Sequence, residues 1–406
     1  MSTVKFRTKK DFILDITPTR VIVLSFLVLI LLGTFFLSLP IATSDGRGAD
    51  FVTAFFTATS ASCVTGLVLV DTKTYWTTFG QLVILSCIQI GGLGIITLAS
   101  FFSVLLGKKI GIRGMILAKE SLNYFSYEGI RKLIKNVIVV TLLFEVLGAV
   151  LLCIRWVPQF GANGFYLAIF HSISAFCNAG FDLFGNSLIS FNSDPIVMGT
   201  ISILIIIGGL GLTVWKDIYE YRQNKKLLLQ TKIVLVITIL LLICGSILFY
   251  VFENGNSSTI GSLPLYEKIT ASVFQSITCR TAGFNSIMID KMTEISKAIS
   301  VMLMFVGGAP GSTAGGIKVT TIGVILIAII SEIKGRNKSV IFGNRISPHI
   351  VFKAISILGL GLLVVSFISL FIQGIEEKFA LLDVLFEAVS AFGTVGLTSL
   401  GTSNLA

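Results

Sequence analysis

Long apolar runs almost free of charge, broken four times by a short polar stretch, leave this chain few ways to fold. Several runs reach the ~20 residues that cross a bilayer as a helix, and only 13% of the 406 residues are charged. The polar breaks resemble one another. They read TATSASCVTGLVLVD at Thr57–Asp71, FHSISAFCNAGFDLFG at Phe170–Gly185, FQSITCRTAGFNS at Phe274–Ser286 and FEAVSAFGTVGLTSLG at Phe386–Gly401. Each is too short and polar to cross a bilayer, is rich in Ser, Thr and Ala, and carries a glycine at a corresponding place after these residues. Gly66, Gly180, Gly283 and Gly396 follow one another at intervals of 114, 103 and 113 residues. A period of this kind is an internal repeat and governs the rest of the reading.

The expected class is an all-α polytopic membrane protein. Spans are expected at about 19–40, 76–106, 132–156, 193–220, 229–252, 292–332 and 347–372. Short helices at Phe51–Ser62, Gly164–Phe176, Tyr266–Ile277 and Leu381–Ala391 lie between them. Each unit thus reads long helix, short re-entrant helix and loop, long helix (M1-P-M2). The units are residues 1–110, 111–227, 228–340 and 341–406, and they are expected around a pseudo-fourfold axis. In the fourth, the chain reaches Ala406 ten residues after Gly396, so the last M2 helix is expected to be absent from these 406 residues.

The formal net charge of +10 would suggest nucleic acid in a soluble protein. Here the cations sit between apolar spans. Lys5, Arg7, Lys9 and Lys10 precede the first, and Lys108, Lys109, Arg113, Lys119, Arg131, Lys132 and Lys135 link the first two units. Lys216, Arg222, Lys225 and Lys226, then Lys334, Arg336, Lys338, Arg345 and Lys353, mark the later links. The positive-inside rule puts the N-terminus and these links in the cytoplasm. The four polar loops then enter from outside.

Rings of backbone carbonyls can replace the hydration shell of a cation, and glycine adopts the dihedrals needed to aim them. The expected donors are Val64, Thr65 and Gly66; Asn178, Ala179 and Gly180; Thr281, Ala282 and Gly283; and Thr394, Val395 and Gly396. The short helices would turn their C-terminal, partly negative ends toward the same axis. A single such loop fits close helix packing better; four alike favour a filter. GGLG at Gly91–Gly94 and Gly208–Gly211 fits helix contact better than function. The run Gly307, Gly308, Ala309, Pro310, Gly311, Ser312, Thr313, Ala314, Gly315, Gly316, Ile317, Lys318 cannot continue a regular helix. It is expected to interrupt the sixth span as a gating loop beneath the filter, with Lys318 either beside the ion path or at the cytoplasmic interface.

Other polar residues carry two readings each. Asp71 draws cations to the outer mouth or caps a turn. Arg280 braces a loop through carbonyls or pairs with a carboxylate, Glu387 being one candidate. His171 and His349 are isolated and give no metal cluster. The six cysteines form no CxxC pair and read as structural. GSTAGG lacks the P-loop lysine spacing and its strand-before-helix setting, and no nucleophile–base set suggests an enzyme.

VTGL, NAGFD, CRTAGFN and GTVGLT in this order, together with GGAPGSTAGGIK, resemble the Trk/Ktr/HKT superfamily of potassium transporters, most closely the bacterial Ktr membrane subunit. The resemblance covers nearly the whole chain. It implies that Gly66, Gly180, Gly283 and Gly396 are the filter glycines and that Gly307–Lys318 is the intramembrane gate. It implies K+ as substrate, Na+ affecting uptake, a homodimer in the bacterial plasma membrane and a cytoplasmic ring of regulatory subunits. Nucleotide would bind that ring and not this chain. The family's final helix, with an arginine that helps close the gate, has no counterpart in these residues. Two alternatives stay open: another monovalent cation transporter, and a membrane scaffold inactive in transport.

Overall fold

The computed structural model describes residues 18–94, 130–335 and 339–405. The basic N-terminal stretch and most of the first inter-unit link lie outside these residues. So does the second expected span beyond residue 94.

Within them the chain repeats a pattern of long helix, short helix, loop and second helix. The long helices are α1 (Pro18–Leu37), α4 (Ile130–Phe160), α8 (Leu229–Glu253) and α12 (Pro348–Ile375). Each contains a stretch long and apolar enough to cross a membrane, with mean hydropathy of 2.6 to 2.9. Leu24, Leu31, Leu143, Ile239, Leu363 and Phe367 on these helices are exposed. Such apolar faces would be untenable in water and fit the hydrocarbon of a bilayer.

The short helices are α2 (Phe51–Ser62), α5 (Asn163–Phe176), α9 (Leu265–Thr278) and α13 (Leu381–Gly393). Their burial is inverted. Ser60, Ser62, His171, Ser172, Ser174, Gln275, Ser276, Thr278, Glu387 and Ser390 are all buried. Asp50 caps α2 by accepting from the Thr53 amide at 3.1 Å. The N-terminal turn of α13 is anchored where Lys297 meets Asp383 at 2.9 Å.

Second helices close the first three units. They are α3 (Thr78–Leu93), α6 (Pro195–Leu210) with α7 (Leu212–Asn224), and α10 (Glu294–Phe305) with α11 (Val319–Ile333). The α10–α11 pair is interrupted between Phe305 and Val319, as the glycine-rich run predicts. The fourth expected span, 193–220, is not one helix: α6 and α7 meet at an 85° bend. Gly211 at the break has φ +82° and Gly94, the C-cap of α3, has φ +80°. Both GGLG motifs therefore end a helix as well as packing closely. A Cβ on Gly91 would lie 1.9 Å from the Ser62 carbonyl oxygen, and one on Gly208 would lie 2.0 Å from that of Phe176. The second helix thus presses on the C-terminus of its own unit's short helix. A two-residue hairpin, β1 (Val340–Ile341) with β2 (Asn344–Arg345), precedes α12.

Polar contacts join neighbouring units. The Tyr166 hydroxyl donates to Gln81 Oε1 at 2.9 Å, and the Gln89 amide donates to Glu145 at 3.0 Å. The Asn285 amide donates to Ser187 Oγ, while the Leu188 amide donates to the Asn285 carbonyl, both at 2.9 Å. Such side chains hold apolar helices together in lipid, where hydrophobic burial gives little preference between partners.

Candidate functional site

Each short helix ends in a loop of the same backbone form. Val64, Asn178, Thr281 and Thr394 have φ of +57°, +60°, +63° and +51°. Two residues later Gly66, Gly180, Gly283 and Gly396 have φ of +86°, +69°, +77° and +90°. The left-handed region is costly for β-branched side chains, and three of the four non-glycine residues are Val or Thr. Strain of this kind persists only where the surroundings enforce it, and it gathers at functional sites. Left-handed residues thus stand on both sides of Thr65, Ala179, Ala282 and Val395.

The glycines make a closed circuit of contacts. A Cβ on Gly66 would come within 2.4 Å of the Ala179 carbonyl oxygen, and one on Gly180 within 2.9 Å of that of Ala282. From Gly283 the corresponding neighbour is the Val395 oxygen at 2.7 Å, and from Gly396 it is the Thr65 oxygen at 2.5 Å. Each glycine therefore abuts the peptide before the next unit's glycine, and the fourth returns to the first. All twelve residues named from the sequence as carbonyl donors lie in these four loops. Among the described residues no group of three His, Cys, Asp or Glu side chains gathers that could hold a metal ion. The polar groups brought together here are backbone ones.

Side chains from the last turn of the first three short helices hold their loops. Ser60 Oγ donates to the Leu67 carbonyl at 2.7 Å, Ser174 Oγ to that of Phe181 at 2.8 Å, and Thr278 Oγ1 to that of Phe284 at 2.7 Å. The acceptor is in each case the residue after the glycine. These clamps are not apparent from composition, because a seryl or threonyl hydroxyl reaches a backbone oxygen six or seven residues on. The signal was present in the aligned spacing: Ser60, Ser174 and Ser390 precede their glycines by six residues and Thr278 by five. His171 packs against Phe184 with ring centroids 4.6 Å apart and accepts from the Leu183 amide at 3.2 Å. It braces a loop, in keeping with a packing role.

The glycine-rich run lies against the same loops. The Thr313 hydroxyl donates to the Phe176 carbonyl at 3.2 Å and sits 3.3 Å from Asn178 Oδ1. On the other side, a Cβ on Gly315 would lie 2.0 Å from Thr394 Oγ1 and 2.9 Å from the Gly393 carbonyl oxygen. The run therefore reaches from the base of the second loop to that of the fourth. Its own backbone is folded: Val306 bridges Ile317, and the Gly307 amide donates to the Ile317 carbonyl at 2.9 Å. Ala309 is tied to the Gly209 carbonyl of α6 at 3.0 Å. Lys318 Nζ donates to the Ala314 carbonyl at 2.6 Å, so this cation clamps its own run.

Arg280 and Glu387 do not pair. Arg280 Nη2 donates to the Gly307 carbonyl at 3.3 Å, which is the carbonyl option among its expected roles. Glu387 Oε1 accepts instead from Thr398 Oγ1 and from the Ser399 and Leu400 amides. Asp71 Oδ1 accepts from the Thr74 amide and hydroxyl, both at 2.7 Å, a turn-capping arrangement. His349 is exposed in the first turn of α12.

The sequence matches the model of the TrkH family, described as a cation transport protein, over residues 4–406. The chain is 41% identical to the Ktr system potassium uptake protein B of Bacillus subtilis, over 94% of this chain and 85% of that protein. It is 39% identical to the potassium/sodium uptake protein NtpJ of Enterococcus hirae, over 98% and 88% of the two chains. The crystal structure of the potassium transporter TrkH from Vibrio parahaemolyticus superposes with a TM-score of 0.68 at 20% identity, over 92% of this chain and 76% of that one. The fold is thus an all-α multi-pass membrane fold related to TrkH. Matched from residue 4 to residue 406, this chain belongs to the TrkH family of cation transport proteins.

Proposed function

We propose that the chain is the membrane subunit of a K+ uptake system and works as a gated, channel-like transporter. The observation that carries this reading is the closed circuit of four loops, each with a left-handed residue and a glycine two positions on. Four carbonyl-lined strands about one axis supply oxygen ligands without fixed charge, which suits a weakly hydrated monovalent cation that must also leave. The names of the Bacillus and Enterococcus relatives point to the same ion. The protein moves ions down their electrochemical gradient and makes or breaks no covalent bond.

In this reading residues 1–110, 111–227, 228–340 and 341–406 belong to four M1-P-M2 units about a pseudo-fourfold axis, residues 341–406 covering M1 and the pore loop of the fourth. The filter is formed by Val64–Gly66, Asn178–Gly180, Thr281–Gly283 and Thr394–Gly396. Gly307–Lys318, lying against two of these loops, is the gate. The lysine- and arginine-rich links would place the N-terminus on the cytoplasmic side of a bacterial plasma membrane. A homodimer and a cytoplasmic nucleotide-binding regulatory ring are proposed from family membership, as is an effect of Na+ on uptake.

The test is ion uptake into proteoliposomes containing the full-length protein with its cytoplasmic partner. K+ and Rb+ should enter faster than Na+ and Li+. Equal uptake of Li+ and K+ would overturn the assignment.

A further inference from the structure

In the first three units a hydroxyl from the last turn of the short helix clamps the carbonyl that follows the glycine. In the fourth, Ser390 occupies that place, is fully buried, and its hydroxyl has no hydrogen-bond partner among the described residues. The fourth loop is therefore held in some other way.

Three residues before each clamp position, on the same helix face, stand Thr57, His171, Gln275 and Glu387. In the second unit His171 takes the Leu183 amide, three residues beyond Gly180. Glu387 takes the Ser399 amide, three residues beyond Gly396, at 2.9 Å. It also takes the Leu400 amide at 3.2 Å and the Thr398 hydroxyl. Thr398 Oγ1 in turn accepts from the Gly401 amide at 2.8 Å. One carboxylate oxygen thus gathers the donors of the segment leaving the fourth loop. The side chain is only 4% exposed. Among the described residues Glu387 makes no ion pair; Lys297 pairs instead with Asp383 at 2.9 Å, and Arg280 donates to the Gly307 carbonyl.

We propose that Glu387 is a positioning residue for the fourth filter loop, replacing the hydroxyl clamp of the other three. Its carboxylate fixes the backbone of Thr398–Leu400 and through it the carbonyls at Val395 and Gly396. A single oxygen of Glu387 holds three donors of this segment at once, so one such group can substitute for a clamp on the glycine's own neighbour. Removing it leaves the buried Ser399 amide without this acceptor, and the loop must move to find a new partner. This inference rests on the filter reading given above.

The test uses the full-length protein in proteoliposomes and compares Rb+ with Na+ uptake. Glu387→Ala should lower the Rb+ to Na+ ratio by about tenfold, whereas Glu387→Gln, which keeps an acceptor oxygen in place, should rescue it to within about threefold of wild type. A wild-type ratio in Glu387→Ala overturns the proposal. So does an equal loss in Glu387→Gln, which would mark attraction by the charge rather than positioning. Should Glu387→Ala fail to reach the membrane, Thr398→Val removes one donor and should lower the ratio by about threefold; a wild-type ratio there overturns the proposal as well. Gly396→Ala in the same assay separates the two levels. If it lowers the ratio and Glu387→Ala does not, only this inference fails. If neither does, the filter reading itself has failed.

Discussion

A methyl group on Gly66 would collide with the Ala179 carbonyl oxygen, and the same holds around the circuit at Gly180, Gly283 and Gly396. Space and dihedral angle thus demand glycine together, since all four also lie at positive φ. Gly283→Ser introduces a Cβ 2.7 Å from the Val395 oxygen at φ +77°. It should force the third and fourth loops apart and lower K+ over Na+ discrimination by about tenfold, equivalent to ~1.4 kcal/mol. Unchanged permeability ratios, with normal membrane insertion, would count against this residue as part of the filter. The glycines were readable from spacing alone. The left-handed residues two positions earlier were not, because Val64, Thr281 and Thr394 are poor candidates for positive φ on intrinsic preference, and only the assembled loops impose it.

Among the elements, the short helices were the most legible. The Ser/Thr/Ala-rich stretches between the apolar runs have bounds close to those of the observed short helices, because composition acts locally. The break between α6 and α7 was not legible. GGLG was read as a packing motif, which it is, but Gly211 also turns the chain through a sharp bend. A glycine's two uses, close approach and positive φ, leave the same letter in the sequence. The Gly307–Lys318 run was legible as an interruption. Its partners were not, since Phe176 and Asn178 lie some 135 residues away from Thr313. Those partners bear on gating. The run is tied to the second loop through Thr313 and packs on the fourth at Gly315, so shortening it removes a bridge across the base of the loops. Deleting Gly311–Gly315 should raise basal K+ flux severalfold, by about the factor of five or more that a loss of ~1 kcal/mol in the closed state would give. Unchanged or lower flux, with normal insertion, would argue that the run is only structural.

For the molecule as a whole, two opposite surfaces define the architecture. Long helices turn Leu, Ile and Phe outward, and short helices turn Ser, Thr, His, Gln and Glu inward. Polar backbone at membrane depth is tolerable only when buried in protein or lining a wet cavity, and the four loops satisfy this by facing one another. The repeat could be seen in the sequence because glycine and hydroxyl residues recur in order. The closing of the fourth loop onto the first, through Gly396 and Thr65, could not, because it depends on how the units pack. That closure is the central claim. It is tested most directly by anomalous diffraction from crystals of the full-length protein grown in Rb+. The account predicts Rb+ density enclosed by the carbonyls of residues 64–66, 178–180, 281–283 and 394–396. Density confined to other sites, with none among these four loops, would contradict it.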